Sequence, residues 1–400
     1  MVYYLYGVFA FSVGALFVAG LAERRGHQRH LAEIPVRILV NGIRGKSSIT
    51  RLVAGALRAG DLGVVAKTTG TAARFIHPDS TEEPVYRKFG IANVVEQIGV
   101  VRRAAAANPD VLVMECMAIQ PALQELNQKV LVRSTIGVLS NVREDHLEEM
   151  GPTLDDVARS LARSMPTGGV CVTAERDRRA LLEREAARRD CRLVVVDPSE
   201  VTGDELAGFP YLAFKENVAI ALAVAAELGV GREAALRGMY AAPPDPGVPS
   251  VEDYHTEDGT VRLANIFAAN DPQSTVMNFR QLAAAGKIKP PFMTLINCRP
   301  DRIARNAQMS RLVAELDTDI LVLIGHPTKS ALDAVPADWQ GRVLDLGGPD
   351  RDPADIWHNI TRHVTGNTSL IAIGNIHGQG ERLLEHLESL RHLPTPLEAR

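Results

Sequence analysis

Residues 41–48 form a glycine-rich stretch that decides the fold: Asn41-Gly42-Ile43-Arg44-Gly45-Lys46-Ser47-Ser48. The preceding residues 36–40 (VRILV) are mostly apolar and predict a buried strand, and 48–57 (SITRLVAGAL) has the apolar spacing of an amphipathic helix. A turn of this kind between a strand and a helix directs backbone N–H groups toward phosphate oxygens at the positive end of the helix. The stretch therefore predicts a nucleotide-phosphate site in an α/β fold.

The residue types in this stretch each suit one part of a nucleotide. Glycines let backbone N–H groups close around phosphate oxygens, Lys46 neutralises the β- and γ-phosphates, and the hydroxyl of Ser47 suits Mg²⁺. The common loop pattern has its first glycine at position 40, where this chain has Val40. A glycine turn without a ligand is the alternative, but a Gly-Lys-Ser run at a helix start favours phosphate. The predicted nucleotide-binding residues of the loop are Asn41, Gly42, Arg44, Gly45, Lys46, Ser47 and Ser48.

Two further apolar strand patterns run into charged or metal-binding side chains. Glu115 comes directly after the apolar run 111–114, and His146 follows a second such run closely. Open α/β sheets bind ligands at the carboxyl ends of their strands, and a buried carboxylate is costly unless it is paired or bound to a metal. An ordinary surface or capping histidine is the alternative for His146. We expect Ser47, Glu115 and His146 to hold a metal, and Lys46, Glu115 and His146 to be catalytic.

The N-terminal residues 2–21 (VYYLYGVFAFSVGALFVAGL) carry no charge. As a helix they would span about 30 Å, the thickness of the hydrocarbon layer of a membrane. Tyrosines near the start suit an interfacial aromatic belt, and the basic residues Arg24 and Arg25 follow the apolar run. This charge pattern predicts a single-pass anchor with the body in the cytoplasm. A cleaved signal peptide is the alternative, and it is disfavoured because the basic cluster lies on the wrong side of the apolar run.

Beyond the N-terminus, strand and helix patterns alternate in two series. The proline-rich segment 242–249 (APPDPGVP) separates them, because it can continue neither a helix nor a central strand. The first series predicts strands at 36–40, 111–114, 135–139, 170–173 and 193–196, and helices at 48–57, 93–107, 154–164, 178–188 and 218–228. The second predicts strands at 263–267, 293–297, 320–324, 342–346 and 369–373, and helices at 274–285 and 353–365. The predicted organisation is an anchor at 1–22, a juxtamembrane linker at 23–34, a parallel-sheet α/β domain at 35–242 and a smaller α/β domain at 250–400.

Composition excludes several classes of protein. A net charge of −4 over 400 residues argues against bulk nucleic-acid binding, which needs a basic surface. The four cysteines are scattered without C-x-x-C spacing, which indicates reduced residues and neither a disulfide framework nor a zinc site.

Three segments resemble motifs of the Mur ligase superfamily, the ATP-dependent amide ligases that include the peptidoglycan Mur enzymes and folylpolyglutamate synthase. Residues 41–47 (NGIRGKS) resemble its T-G-T-N-G-K-[ST] loop, 141–148 (NVREDHLE) its N-[IV]-x-x-D-H-L-D segment, and 217–223 (NVAIALA) its adenine-contacting N-A-x-A-A helix. Two features depart from the superfamily. No lysine lies between Lys129 and Lys215, where the peptidoglycan enzymes carry a carbamylated lysine. The H-N-x-x-N pattern keeps only its last Asn, with Phe214 in place of the first Asn.

Narrower signatures resemble the ligase subunit of bacterial poly-γ-glutamate synthase, the CapB/PgsB family. They are 44–47 (RGKS), 67–74 (KTTGTAAR), 115–118 (ECMA), 144–146 (EDH), 242–247 (APPDPG), 267–271 (FAAND), 297–302 (NCRPDR) and 374–378 (GNIHG). Together with the anchor they cover the chain from end to end. The resemblance implies a P-loop central domain, a Rossmann-like C-terminal domain, and ATP and Mg²⁺ as cofactors.

The resemblance also implies roles for particular residues. Ser47, Glu115 and His146 would hold magnesium, Asn217 would contact the adenine, and Asn270-Asp271 matches a motif whose Asp takes the ATP ribose. Arginines in polar runs suit bidentate capture of carboxylates or phosphates, which adds Arg299 to the nucleotide site. The candidate substrate residues are Thr69, Thr71, Arg74, Arg302, Asn375 and His377.

The function that the resemblance implies is an ATP-dependent ligase that joins glutamate through γ-carboxyl amide bonds, with an acyl phosphate as intermediate. The resemblance implies two membrane partners, a small multi-span subunit (CapC/PgsC-like) and an exported, membrane-tethered subunit (CapA/PgsA-like). One alternative is another Mur-type ligase that adds glutamate to a folate or a peptide; the anchor argues against a folate ligase, which has no reason to sit at a membrane. A second is a membrane P-loop ATPase without ligase activity, whose ATP hydrolysis would be insensitive to glutamate.

Overall fold

A computed structural model of the chain describes residues 2–69, 73–85, 93–245, 250–256, 258–269, 271–364 and 366–391. The chain forms two compact units, Met1–Pro246 and Gly247–Arg400. Each unit is built on one β-sheet covered by helices.

The sheet of the first unit contains eight strands within the described residues. They are β1 (Val36–Asn41), β2 (Val64–Lys67), β3 (Arg74–Ile76), β4 (Glu82–Pro84), β5 (Val111–Glu115), β6 (Ile136–Leu139), β7 (Val170–Thr173) and β8 (Arg192–Val195). Their order is β4-β3-β2-β5-β1-β6-β7-β8, and all neighbours are parallel except the pairs β2–β3 and β3–β4. The central strands are buried on both faces, which is why they appear in the sequence as continuous apolar runs.

Helices cover both faces of this sheet. They are α1 (Val2–Ala32), α2 (Lys46–Arg58), α3 (Glu96–Ala106), α4 (Pro121–Leu126), α5 (Leu147–Met150), α6 (Leu154–Ala162), α7 (Arg179–Ala187), α8 (Gly203–Ala207), α9 (Lys215–Glu227) and α10 (Arg232–Ala241), with a π-helical segment at Asn127–Val132 and a 3₁₀ turn at Pro198–Glu200. Side chains of α2, α9 and α10 share one apolar core with the sheet, whereas α3 and the end of α1 share another on its other face.

The chain leaves β1 in the first unit at the point where the strand order reverses. After β1 it passes through α2 to β2 and returns to β5 on one side, and β6 then follows on the other side of β1. Ligands of open α/β sheets bind in the crevice at the carboxyl ends of strands at such a reversal. The glycine-rich stretch directly after β1 therefore lies at the position where this fold places its ligand.

Helix α1 is the one helix among the described residues that is long and apolar enough to cross a membrane. Residues 3–20 are exposed throughout, whereas Leu31 near the helix end and Ile34 just beyond it are buried in the core shared with α3. The structure thus differs from a separate linker at 23–34. Residues 22–32 (AERRGHQRHLA) contain no proline and continue the helix, and its last turn packs onto the first unit.

Arg37, in β1, ties the end of this helix to the body. Its guanidinium donates to the backbone carbonyls of Leu31 (3.1 Å) and Ile34, and also to those of Val132 (3.2 Å) and Arg133 (3.0 Å) at the end of the π-helical segment. One turn earlier in α1, His27 Nε2 donates to the carbonyl of Leu131 at 3.0 Å. These bonds satisfy carbonyl groups that helix ends leave without partners.

In the second unit, six strands form a sheet within the described residues. They are β9 (Ser250–Thr256), β10 (Gly259–Asn265), β11 (Phe292–Cys298), β12 (Thr318–Gly325), β13 (Arg342–Asp345) and β14 (Gly366–Gly374). Their order is β13-β12-β11-β14-β10-β9, parallel except for β9. The helices are α11 (Pro272–Ala284), α12 (Ile303–Ser310), α13 (Lys329–Leu332), α14 (Pro353–Thr361) and α15 (Gln379–Arg391), with 3₁₀ turns at Pro300–Arg302 and Arg311–Val313.

These two sheets confirm the predicted α/β class, and each predicted strand and helix is present with small shifts at its ends. The pattern missed four strands, namely β2, β3, β4 and β9. β3 and β4 have three residues each, too few to show a period, and β9 is an edge strand with a polar sequence (SVEDYHT). Strands this short, or as polar as β9, carry little hydrophobic periodicity, and β2 is buried but has only four residues.

Candidate active site

Two glycines shape the loop after β1. Gly42 and Gly45 have φ angles of 127° and 83°, in the region that disfavours side chains. A Cβ atom on Gly42 would also lie 2.0 Å from Ser140 Oγ, and one on Gly45 would lie 2.8 Å from Asn217 Oδ1. The loop therefore requires glycine at both positions, and Asn217, the predicted adenine contact, packs directly against it.

The end of β6 holds the loop in place. Asn141 accepts a hydrogen bond from the backbone N–H of Arg44 (3.1 Å) and donates one to its carbonyl (3.0 Å), while Ser140 Oγ donates to the same carbonyl at 2.7 Å. The Arg44 side chain forms an ion pair with Asp145 at 3.2 Å. The segment 141–148 thus supports the backbone of the glycine-rich loop, a role that motif matching did not predict.

Lys46 begins α2 and folds back over the loop. Its Nζ donates to the carbonyls of Gly42 (2.8 Å) and Ile43 (3.2 Å). Burial lowers the pKa of Lys46 from its ordinary value, and the nearby charge of Glu115 opposes that shift. If a phosphate group bound in this loop, its negatively charged oxygens would replace these carbonyls as partners of the Lys46 ammonium group.

Ser47, Glu115 and Thr69 meet at the carboxyl ends of three neighbouring strands. Ser47 Oγ and the backbone N–H of Thr69 both donate to Glu115 Oε2, each at 2.7 Å, and Glu115 is 3% exposed. The hydroxyl and carboxylate are hard oxygen donors of the kind that Mg²⁺ and Mn²⁺ prefer. The pair fits the predicted metal site, and its role as a metal ligand stays a prediction.

His146 lies at the N-terminal end of the short helix α5, with a φ of 50° and a side chain 42% exposed. Its nitrogens lie 3.8 Å from Asp145 Oδ1 and 3.8 Å from Glu149 Oε2. Across the described parts of the chain, no three His, Cys, Asp or Glu side chains come together as a metal cluster. The structure thus unites Ser47 with Glu115, whereas the metal role of His146 stays a prediction.

The remaining predicted residues of the first unit have varied surroundings. The Asn41 side chain points into the core, where it donates to Gln124 (2.9 Å) and Ser164 (2.9 Å), so only its backbone is available to a ligand. Ser48 is half-buried in the first turn of α2. Arg74 begins β3, and its backbone N–H donates to Thr68 Oγ1 at 3.0 Å. Thr71 lies outside the described residues.

In the second unit, the predicted residues gather at the carboxyl ends of β11 and β14. The fully buried Asn297 donates to the carbonyls of Asn375 (2.7 Å) and His377 (2.9 Å), and thereby joins the two loops. Arg305 donates to Asn375 Oδ1 at 3.1 Å. This arginine was missed because it lies on α12 beyond the polar run 297–302. The His377 side chain is exposed, 3.4 Å from Glu381.

Arg299 and Asp271 already have partners within this unit. Arg299 binds Asp301 in a bidentate pair, with both distances 2.9 Å, and the half-exposed Arg302 lies 3.7 Å from the same carboxylate. Asp271 caps helix α11 by accepting from Ser274 N at 2.7 Å. Asn270 lies outside the described residues. The nucleotide and substrate roles of this group stay predictions.

Comparison with known proteins identifies the family. Residues 40–221 match the model of the Mur ligase middle domain, and residues 251–390 match that of the poly-gamma-glutamate synthase CapB C-terminal domain. The chain is 34% identical over 383 residues to PGA synthase CapB of Bacillus subtilis (strain 168), which covers 94% of this chain and 96% of that protein. The chain belongs to the CapB family of poly-γ-glutamate synthases.

A second relative in the CapB family agrees with this assignment. The capsule biosynthesis protein CapB of Bacillus anthracis is 36% identical over 375 residues, covering 92% of this chain and 80% of that protein. Membership of the CapB family confirms the predicted resemblance. It also confirms the predicted enzyme class, an ATP-dependent ligase that forms C–N bonds.

Solved structures agree on the fold. A bifunctional folylpolyglutamate synthase/dihydrofolate synthase from Yersinia pestis, complexed with AMPPNP and Mn ion, superposes with a TM-score of 0.63 at 17% identity and covers 93% of each chain. At this level of identity the likeness concerns the fold, and it confirms a Mur-ligase-like architecture.

Proposed function

We propose that this protein polymerises glutamate through γ-carboxyl amide bonds at the expense of ATP. The observation that carries the proposal is the arrangement at the carboxyl end of β1, where Lys46 covers the glycine loop and Ser47 meets the buried Glu115. Membership of a family whose relatives are named PGA synthase supplies glutamate as the substrate class.

The reaction must first activate a carboxylate, because a carboxylate oxygen is a poor leaving group. In the proposed sequence the γ-carboxylate attacks the γ-phosphorus of ATP, which releases ADP and forms an acyl phosphate. The amine of the next glutamate then attacks the acyl carbon, phosphate leaves, and the nitrogen loses a proton. Such chemistry depends mainly on positioning and on neutralising the phosphate charge.

Each part of the loop has a task in this scheme. The backbone N–H groups at the start of α2 bind phosphate oxygens, and Lys46 holds its ammonium group against them. Ser47 and Glu115 would hold the divalent cation, for which we propose Mg²⁺, and Thr69 keeps the Glu115 carboxylate oriented through its N–H. When bound, the cation neutralises charge on the β- and γ-phosphates. We propose adenine contact for Asn217, which packs against Gly45.

We further propose that α1 holds the enzyme at the cell membrane as a single span, with the catalytic body in the cytoplasm. The apolar, exposed residues 3–20 and the basic residues that follow them support this orientation. A highly charged polymer cannot diffuse through a bilayer, so synthesis at the membrane suits export. The proposed partners are a small multi-span subunit and an exported, membrane-tethered one.

One assay tests the central proposal. Membranes containing the full chain and its partner subunits are given ATP, Mg²⁺ and glutamate, and ADP release and polymer length are measured. The proposal expects ADP release that requires glutamate and yields a γ-linked polymer. ADP release without glutamate would indicate an ATPase, and release that requires a folate or peptide acceptor would indicate another Mur-type ligase.

A further inference from the structure

Arg51 lies on α2, one helical turn after Ser47, and is buried, with its side chain 3% exposed. A buried guanidinium group is stable only when carboxylates or carbonyls satisfy its charge and its donors. Both acids that pair with Arg51 come from outside α2, and they come from different parts of the first unit. Arg51 is therefore a point where the helix that begins at the phosphate loop is joined to two other segments.

The first partner is Glu82, on the edge strand β4. The two guanidinium Nη atoms each donate to one carboxylate oxygen of Glu82, and Nη2 does so at 2.9 Å. This bidentate geometry is the strong form of the Arg–carboxylate pair. It fixes the Arg51 side chain in one orientation, with its Nε group directed elsewhere.

The second partner is Asp245, in the last residues of the first unit. Arg51 Nε lies 3.6 Å from Asp245 Oδ1, and the Asp245 side chain is 20% exposed. Asp245 follows α10 and precedes the boundary between the two units at Pro246 and Gly247. The pair thus binds the start of the connection between the units to the phosphate-loop helix.

Backbone packing brings α10 against the same helix. A Cβ atom on Gly238 of α10 would lie 2.1 Å from the carbonyl oxygen of Gly55 on α2, and one on Gly55 would lie 2.5 Å from the carbonyl oxygen of Gly238. Only glycine at both positions permits this approach. Helix α2 therefore holds both α10 and the residues that follow it.

We propose that Arg51 is a positioning residue for ligation, acting through Asp245 to couple the nucleotide at the start of α2 to the segment that leads into the second unit. Lys46 and Arg51 are five positions apart, about 7–8 Å along one continuous helix, which moves as one body. A shift of the loop on nucleotide binding is thus transmitted to Asp245 without a separate relay. The proposal rests on the proposed nucleotide site.

The test uses Asp245→Asn, which preserves the side-chain shape and removes the charge that attracts Arg51. In membranes with the full complex, we expect kcat for glutamate-dependent ADP release to fall at least tenfold, with the KM for ATP within twofold of the wild type. Asp245→Glu should restore a substantial part of kcat. The matched control is Glu227→Gln, which likewise removes a carboxylate charge paired with an arginine. That arginine is Arg192, outside the pairs that Arg51 makes. It should leave kcat unchanged.

A second readout separates coupling from a merely structural role. Hydrogen–deuterium exchange over residues 232–245 is measured in the purified full chain, with and without AMP-PNP and Mg²⁺. In the wild type the nucleotide should slow exchange there, and in Asp245→Asn this effect should be lost while AMP-PNP still binds. A nucleotide effect of equal size in both proteins, or an unchanged kcat, would overturn the proposal. Failure of the wild type to ligate glutamate would instead count against the proposed function, and the exchange experiment would still decide the coupling.

Discussion

The C-terminal end of α1 should be essential for folding, whereas folding should not require its apolar N-terminal part. Removing residues 2–22 takes away a segment that is exposed between residues 3 and 20. Removing residues 2–34 also deletes Leu31 and Ile34, which are 3% and 0% exposed, and two of the carbonyls that Arg37 binds. Tolerance to truncation depends on this burial and bonding and not on position in the chain.

The cost of the longer deletion follows from these contacts. Burying a Leu or Ile side chain stabilises a fold by about 1.5–3 kcal/mol, so the two contribute about 3–6 kcal/mol. Three hydrogen bonds are also lost, two from Arg37 to Leu31 and Ile34 and one from His27 to Leu131, and they add about 1.5–4.5 kcal/mol at about 0.5–1.5 kcal/mol each. The total of about 4.5–10.5 kcal/mol is comparable with the whole stability of a typical domain, about 5–15 kcal/mol. The shorter deletion should cost less than about 1 kcal/mol, as surface changes usually do.

Urea unfolding followed by circular dichroism measures the difference in unfolding free energy between the two truncations. Binding of a fluorescently labelled ADP reports whether the nucleotide site is intact. We expect the protein lacking residues 2–22 to fold and bind nucleotide but to support no polymer export in cells. The protein lacking residues 2–34 should unfold at a much lower urea concentration or fail to fold. Within the shorter truncation, Ile34→Ala should be destabilised by about 2–5 kcal/mol, whereas the exposed neighbour Glu33→Ala should be nearly neutral. Equal urea midpoints for the two truncations would refute the reasoning.

Three further results are expected. Lys46→Ala should abolish glutamate-dependent ADP release while the melting temperature stays within a few degrees, because Lys46 bonds only to loop carbonyls among its described hydrogen bonds; normal turnover would refute the nucleotide site. Glu115→Gln should reduce Mg²⁺-dependent turnover by orders of magnitude, and an unchanged magnesium titration would leave Glu115 as a structural acid. Arg232 lowers the pKa of Glu205 to about 2, so this carboxylate stabilises the fold above its unfolded value of 4.5 and loses that effect as the pH falls toward about 2. Glu205→Gln should therefore cost about 1 kcal/mol at pH 7 and less near pH 3.5 in urea unfolding, and an equal cost at both would contradict the assignment.

The sequence alone was enough to locate the glycine-rich loop and the two α/β series. The loop is encoded within one strand, one turn and the start of one helix, so glycine, lysine and serine at fixed spacing predict it, and its proposed phosphate site, without any distant contact. Most of the buried strands, though not β2, were visible because both faces of a central parallel strand are apolar. The uncharged run at 2–21 likewise predicts a helix of membrane-spanning length from its length and composition alone.

Only the tertiary structure decided which groups support these elements. Asn141 clamps Arg44 across 97 positions of sequence, Thr69 orients Glu115 across 46, and Arg37 reaches Arg133 across 96. The tertiary structure also places the Asn41 side chain in the core and pairs Arg299 with Asp301. Local patterns report whether a residue faces a core, because burial repeats with the period of the helix or strand. Local patterns do not indicate which strands pair with each other, because strand order and register are set by the packing of whole elements.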